Sequence, residues 1–182
     1  RVTQFAGVPT MYFALLNFEG AERYDLSSLK YCYSGGAPMP VEVLKDFDRK
    51  YNVSILEGYG LSETSPVATF NLMYRPRKIG SIGLAISGCE VKVVDGDDNE
   101  VPPGEVGEIV IRGYNVMKGY YKRPEATEEA FRGGWFHTGD MGTMDEDEYF
   151  FIVDRKKDMI IRGGFNVYPR EVEEILYGHP AI

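Results

Sequence analysis

The sequence predicts an α/β protein: the end of a parallel α/β subdomain, then a small β-barrel-like subdomain, then the start of a further small domain. Up to residue 70, apolar runs alternate with amphipathic helical stretches, and glycine or proline punctuates each change. Near Arg75-Pro76-Arg77 the pattern turns into short alternating strands. After Asp154 a last helix carries an apolar stripe with almost nothing of its own to pack against, and one helix cannot bury its own stripe. The expected division is residues 1–74, 75–155 and 156–182, with the last unit incomplete and the chain a piece of something longer.

The elements follow in order. Pro9 suits the first turn of a helix running through Asn17. Leu29 to Ser34 reads as a strand that ends in Gly35-Gly36-Ala37-Pro38. Pro40 to Lys50 is a helix, because Val41, Leu44 and Phe47 recur at helical spacing while Glu42, Lys45 and Asp46 face water. Val53 to Leu56 returns as a second strand. Beyond residue 75, Val91 with Val93 and Ile109 with Ile111 put like residues on one face, with turns at Asp95-Gly96 and Pro102-Pro103-Gly104. A short helix from Pro124 to Phe131 and a strand from Tyr149 to Val153 complete this unit. Pro169 to Tyr177 is the last helix, with Val172, Ile175 and Leu176 on one stripe and Gly178 beyond its end.

With 182 residues and 43% hydrophobic content, the chain can bury one substantial core or two small ones. Its longest apolar run, Met11 to Leu16, is far too short to span a bilayer, and no charged-then-apolar leader opens it; a cytoplasmic protein is the default. Peripheral membrane contact and oligomeric state stay open. A net charge of −8 works against nucleic acid, so an anionic ligand must be held by local donors. Cys32 and Cys89 lack a metal-type spacing and read as core fillers.

The residues that can carry chemistry sit at strand ends. Gly35-Gly36-Ala37-Pro38 either lets the backbone approach a planar ligand or is ordinary turn punctuation. In Tyr59-Gly60-Leu61-Ser62-Glu63, the ring can stack on a purine, the Ser62 hydroxyl can bond a phosphate oxygen and Glu63 can hold magnesium; otherwise Tyr59 is a core aromatic and Glu63 is solvated. Asp140, read as the end of a loop after Thr138-Gly139, offers two acceptors to a diol, or is an Asp in a turn. Arg155 is a charged fork for ribose or phosphate oxygens, or a surface arginine in a basic run. Gly163-Gly164 follow a short strand and mark a β-turn or a clear path for a narrow ligand arm. Asp95 to Glu100 lacks the glycine and glutamate of a calcium loop, and Glu63 stands where a dinucleotide fingerprint needs its third glycine. No nucleophile motif accompanies His137 or His179, and His137 is expected to pack beside Trp135.

Four stretches taken together carry a resemblance: Glu57-Gly58-Tyr59-Gly60-Leu61-Ser62-Glu63-Thr64, Trp135-Phe136-His137-Thr138-Gly139-Asp140, Asp154-Arg155-Lys156-Lys157-Asp158, and Arg162-Gly163-Gly164-Phe165-Asn166-Val167-Tyr168-Pro169. In this order they resemble the adenylate-forming superfamily, and within it the acyl-CoA ligases that handle fatty acids. The resemblance implies a two-step reaction in which ATP and a carboxylic acid give an acyl-adenylate, and CoA then takes the acyl group. It implies that Gly35-Gly36-Ala37-Pro38 lies along adenine, that Asp140 takes both ribose hydroxyls and that Arg155 reaches ribose or phosphate. Ser62 and Glu63 with Mg2+ would serve the phosphates, although the family more often has threonine at the place of Ser62. Lys157 stands at the hinge of the small carboxy-terminal domain, and Gly163-Gly164 would border the pantetheine arm.

The run from Gly164 to Glu173 looks like the CoA-ligase version of its segment rather than that of a peptide-synthetase adenylation domain. A long or medium fatty acid is the expected substrate, with an aryl acid as the alternative. The family's phosphate loop is expected before residue 1 and its carboxy-terminal lysine after residue 182, so little ligase activity is expected from this polypeptide alone. The rival from another class is a nucleotide-binding or scaffold module without catalysis.

Overall fold

The computed structural model describes residues 1–163 and 165–179. The first layer is β1 (Gln4–Gly7), α1 (Pro9–Leu16), β2 (Tyr31–Ser34), α2 (Val41–Tyr51) and β3 (Ile55–Gly60), with β1, β2 and β3 parallel and adjacent. Pro9 starts α1, and the helix ends where the Asn17 side chain donates back to the Phe13 carbonyl at 2.9 Å. Leu44 and Phe47 turn inward from α2 as their spacing requires, and meet Tyr12, Cys32, Met39 and Ile55 in one core cluster. At its centre the buried Tyr12 hydroxyl donates to the Tyr33 carbonyl at 2.6 Å.

This sheet does not stay parallel. β4 (Val67–Phe70) and β5 (Leu84–Ala85) add to its edge in antiparallel sense, giving the order β1-β2-β3-β4-β5 among the described residues. Apolar alternation fixes a strand's inward face but not its direction, so the expectation of parallel units throughout fails at β4. The strand expected at Val53 to Leu56 also runs further, to Gly60, because β4 pairs with its far half.

Then come β6 (Cys89–Val94), β7 (Gly107–Gly113), α3 (Pro124–Ala130), β8 (Phe131–Arg132), β9 (Trp135–Met144) and β10 (Phe150–Arg155). Among the described residues they form an antiparallel half-barrel of order β10-β9-β7-β6, with β8 on β9. Its inner face, Cys89, Val93, Ile109, Ile111 and Phe150, closes on Ala68 and Ile82, so the core is shared between the sheets. Main-chain bonds from Ile82 to the Phe150 carbonyl (2.9 Å) and from Phe150 to the Gly83 carbonyl (3.0 Å) stitch the seam. Lys78 reaches Asp145 at 2.5 Å and Asp147 at 2.6 Å across it.

One expectation is corrected in β9. Asp140 lies within a strand rather than at the end of a loop, since β10 pairs with it there. His137 joins a polar cluster, with Nδ1 2.8 Å from Arg132 and 3.4 Å from Glu108, and Nε2 3.7 Å from Asp98. Trp135 is flanked by Lys92 and Arg112, whose cationic groups stand 4.6 and 4.4 Å from its ring centre.

The chain closes with a hairpin, β11 (Ile160–Arg162) and β12 (Phe165–Val167), and α4 (Pro169–Tyr177). Ile160, Ile161, Phe165, Val172, Ile175 and Leu176 are exposed there, in line with the unburied stripe read from the sequence. No helix among the described residues is long and apolar enough to cross a membrane.

Candidate functional site

A cleft of about 540 Å³ lies where the first sheet, the half-barrel and α4 meet. Gly36, Ala37 and Pro38 line it from the loop after β2, Tyr59 and Gly60 from the end of β3, Asp140 from β9 and Arg155 from β10. These are the residues singled out at the strand ends, and the fold gathers them from well-separated parts of the chain. β2 and β3 run parallel, so their carboxyl ends open on the same side, which is where such sheets take ligands. Gly60 has to be glycine: a Cβ there would lie 1.7 Å from the Pro66 carbonyl oxygen.

Asp140 joins Tyr59 and Arg155 in the cleft. Its Oδ2 accepts from the Tyr59 hydroxyl at 2.5 Å, and its Oδ1 lies 3.7 Å from Arg155 Nε. Burial pushes its carboxyl above the ordinary range, against the hydrogen bond from Tyr59 and the charge of Arg155. Burial together with the adjacent Asp140 charge also holds the Tyr59 phenol well above its usual value. The result is an aromatic face, a paired carboxylate and a guanidinium on one concave surface.

The strand presents Asp140 by means of a bulge. Between the pairs Glu108–Met141 and Val110–His137, residues Thr138, Gly139 and Asp140 stand opposite Ile109 alone. Gly139 takes φ +73°, a conformation that suits glycine. The Thr138 hydroxyl donates to the Ile109 carbonyl at 2.7 Å and accepts from the Asp140 N–H at 3.0 Å. Across the other edge, Asp140 pairs with Arg155, and the Lys156 N–H donates to the Gly139 carbonyl at 2.8 Å.

Other expected residues lie elsewhere. Gly35 packs at the β2–β3 seam, where a Cβ would approach the Gly58 carbonyl oxygen to 3.1 Å. Ser62 and Glu63 sit in the short helical turn Ser62–Thr64, outside the cleft lining; Ser62 is exposed, and Glu63 Oε1 accepts from the Tyr120 hydroxyl at 2.9 Å. Lys157 is exposed in the turn after β10. Gly163 forms the β11–β12 turn in open space, and Gly164 lies outside the described residues.

The sequence reading missed Glu57, Arg170 and Glu173, which also line the cleft. Burial pushes the Glu57 carboxyl up to about 7, although Arg170 and Arg77 favour its charged form. Its position two residues before Tyr59 on one strand was the available signal, since alternate residues share a face. Arg170 binds across to β10, donating from its backbone N–H to Asp154 at 3.2 Å and from Nη1 to the Ile152 carbonyl at 2.8 Å. Only the folded chain brings that contact about.

The sequence profile of the family described as AMP-binding enzyme matches residues 1–121. The chain belongs to this family. It is 49% identical over 183 aligned residues to a long-chain-fatty-acid–CoA ligase of Bacillus subtilis (strain 168), covering 100% of this chain and 33% of the relative. It is 48% identical over 184 aligned residues to a feruloyl-CoA synthase of Amycolatopsis sp, covering 100% of this chain and 37% of that protein. The crystal structure of ATP-bound MatB from Rhodopseudomonas palustris superposes with a TM-score of 0.95 at 38% identity, over 99% of this chain and 36% of that one. The chain thus spans about a third of the length of the curated relatives it matches.

Proposed function

We propose that this chain supplies the nucleotide grip of an ATP-dependent, AMP-forming acyl-CoA ligase that activates a fatty acid. The observation that carries the reading is the meeting of Tyr59, Asp140 and Arg155 around one cleft beside the Gly36-Ala37-Pro38 loop. Such a surface suits a nucleoside monophosphate: the glycine loop and the Tyr59 ring take the base, Asp140 accepts from the ribose hydroxyls, and Arg155 meets ribose or phosphate oxygens. Opening the Tyr59–Asp140 bond frees an acceptor for the sugar. The family membership and the similarity to a long-chain-fatty-acid–CoA ligase support the same reading.

In the first step a carboxylate oxygen of the acid bonds to the α-phosphorus of ATP, and the bond to pyrophosphate breaks. In the second the CoA thiol, giving up its proton, bonds to the acyl carbon and AMP leaves. Magnesium would neutralise phosphate charge during the first step. The Glu63 carboxylate would hold the ion. The Ser62 hydroxyl would bond a phosphate oxygen next to it. Residues 1–74 would carry the base and phosphate side, 75–155 the ribose side, and 156–182 a cap that turns at Lys157 and brings Gly163-Gly164 to the pantetheine arm.

Calorimetry with a non-hydrolysable acyl-adenylate analogue tests the reading. Asp140→Ala should weaken binding by about tenfold or more, the worth of hydrogen bonds to a charged group. Equal affinities would remove Asp140 from the ribose. An aryl acid is the second reading, favoured by the 48% identity to the feruloyl-CoA synthase; competition between fatty-acyl and aryl analogues separates the two.

A further inference from the structure

We propose that Glu108, which stands outside the cleft on β7, is the positioning residue of the ribose grip and holds Asp140 and Arg155 in register with each other. The proposal rests on the reading of the cleft as a nucleotide site.

The bulge in β9 breaks the ladder with β7, so the N–H of Gly139, the residue just before Asp140, has no ladder partner on β7. The Glu108 side chain supplies one: Oε1 accepts from the Gly139 N–H at 3.0 Å. Its other oxygen accepts from Lys156 Nζ at 3.0 Å, on the residue just after Arg155. One carboxylate therefore ties the strand that carries the ribose acceptor to the end of the strand that carries the guanidinium. Glu108 is 6% exposed and is flanked further by His137 at 3.4 Å and Arg132 at 3.8 Å. Burial works to raise its carboxyl, but Lys156, the Gly139 N–H and His137 outweigh it and keep the group below its ordinary range. It is thus held as an anion and accepts from both neighbours at once.

A residue that merely stabilised the fold would weaken every ligand alike. A residue that positions Asp140 and Arg155 sets the preference for a ribose diol. The test compares binding of a non-hydrolysable acyl-adenylate analogue with that of its 2′,3′-dideoxy counterpart, in wild type, Glu108→Ala, Glu108→Gln and Lys156→Met. Wild type should prefer the ribose form by about tenfold or more. Glu108→Ala should bring that ratio close to one, whereas Glu108→Gln, whose amide oxygen can still accept from Gly139, should keep it within about threefold of wild type. A wild-type ratio retained in Glu108→Ala overturns the inference alone. If circular dichroism shows Glu108→Ala unfolded, Lys156→Met decides, since it cuts the tie to the residue after Arg155: a ribose preference reduced by about threefold or more supports the inference, and a wild-type ratio overturns it. Absent binding or an absent ribose preference in wild type would sink the reading of the cleft itself, and the inference with it.

Discussion

Glu57 shows how one buried side chain can make stability depend on pH. Only 7% of it is exposed, on the lining of the cleft, and its carboxyl rises from 4.5 to about 7 chiefly through burial. The folded chain holds this proton more tightly than the unfolded one, so the stabilising contribution is complete below pH 4.5 and is lost as pH climbs through about 7. Glu57→Gln removes the titration while keeping the shape. Denaturant melts should find the variant close to wild type near pH 5 and more stable by up to about 3 kcal/mol at about pH 8, because each tenfold difference in proton affinity between the folded and unfolded chain is worth ~1.36 kcal/mol. A difference that stays flat across this range would mean that the carboxylate is well solvated. Asp140 belongs to the same class of half-paired acids, and the ribose role proposed for it is tested by Asp140→Ala as above.

At the scale of elements, β3 sets the position of the site, because Tyr59 and Gly60 reach the cleft only while β4 stays paired beside them. Gly60→Ala drives a methyl into the Pro66 carbonyl, and a main-chain oxygen cannot swing aside as a side chain can. Urea titration should show a loss of about 2–4 kcal/mol, read as a lower midpoint at unchanged slope. The helices were largely legible in the sequence: Pro169 and Gly178 bracket α4, and the Leu44 and Phe47 spacing gives the inner face of α2. So was the strand-end placement of the glycine loop and Tyr59. The bulge was not, since Thr138-Gly139-Asp140 has the letters of a turn while its geometry depends on Ile109 and Glu108, some thirty residues earlier in the chain. The direction of β4 was hidden for a similar reason, because its partner rather than its own alternation decides it.

Across the whole molecule, the shared core makes the two sheets depend on each other. Phe150 packs from β10 against residues of both sheets, and its backbone bonds Ile82 and Gly83. Phe150→Ala should cost about 3–5 kcal/mol and lower both near-ultraviolet and far-ultraviolet circular dichroism in one transition. Two separate transitions would show that the sheets unfold independently. The contact of Arg170 with β10 and the bond from the Val41 N–H to Glu174, at 3.5 Å, help seat α4 over the cleft, while Val172, Ile175 and Leu176 of the same helix stay exposed.

Trp135 is the one tryptophan in the sequence, five residues before Asp140 on the same strand, with a cation on its ring from both Lys92 and Arg112. The tryptophan fluorescence of the chain, excited selectively over its 13 tyrosines, is therefore emitted from a single known point on β9, in an electrostatic setting sensitive to small changes of geometry. Any ligand that tightens or shifts this strand as it grips Asp140 carries its own optical signal, and no attached dye is needed to follow it.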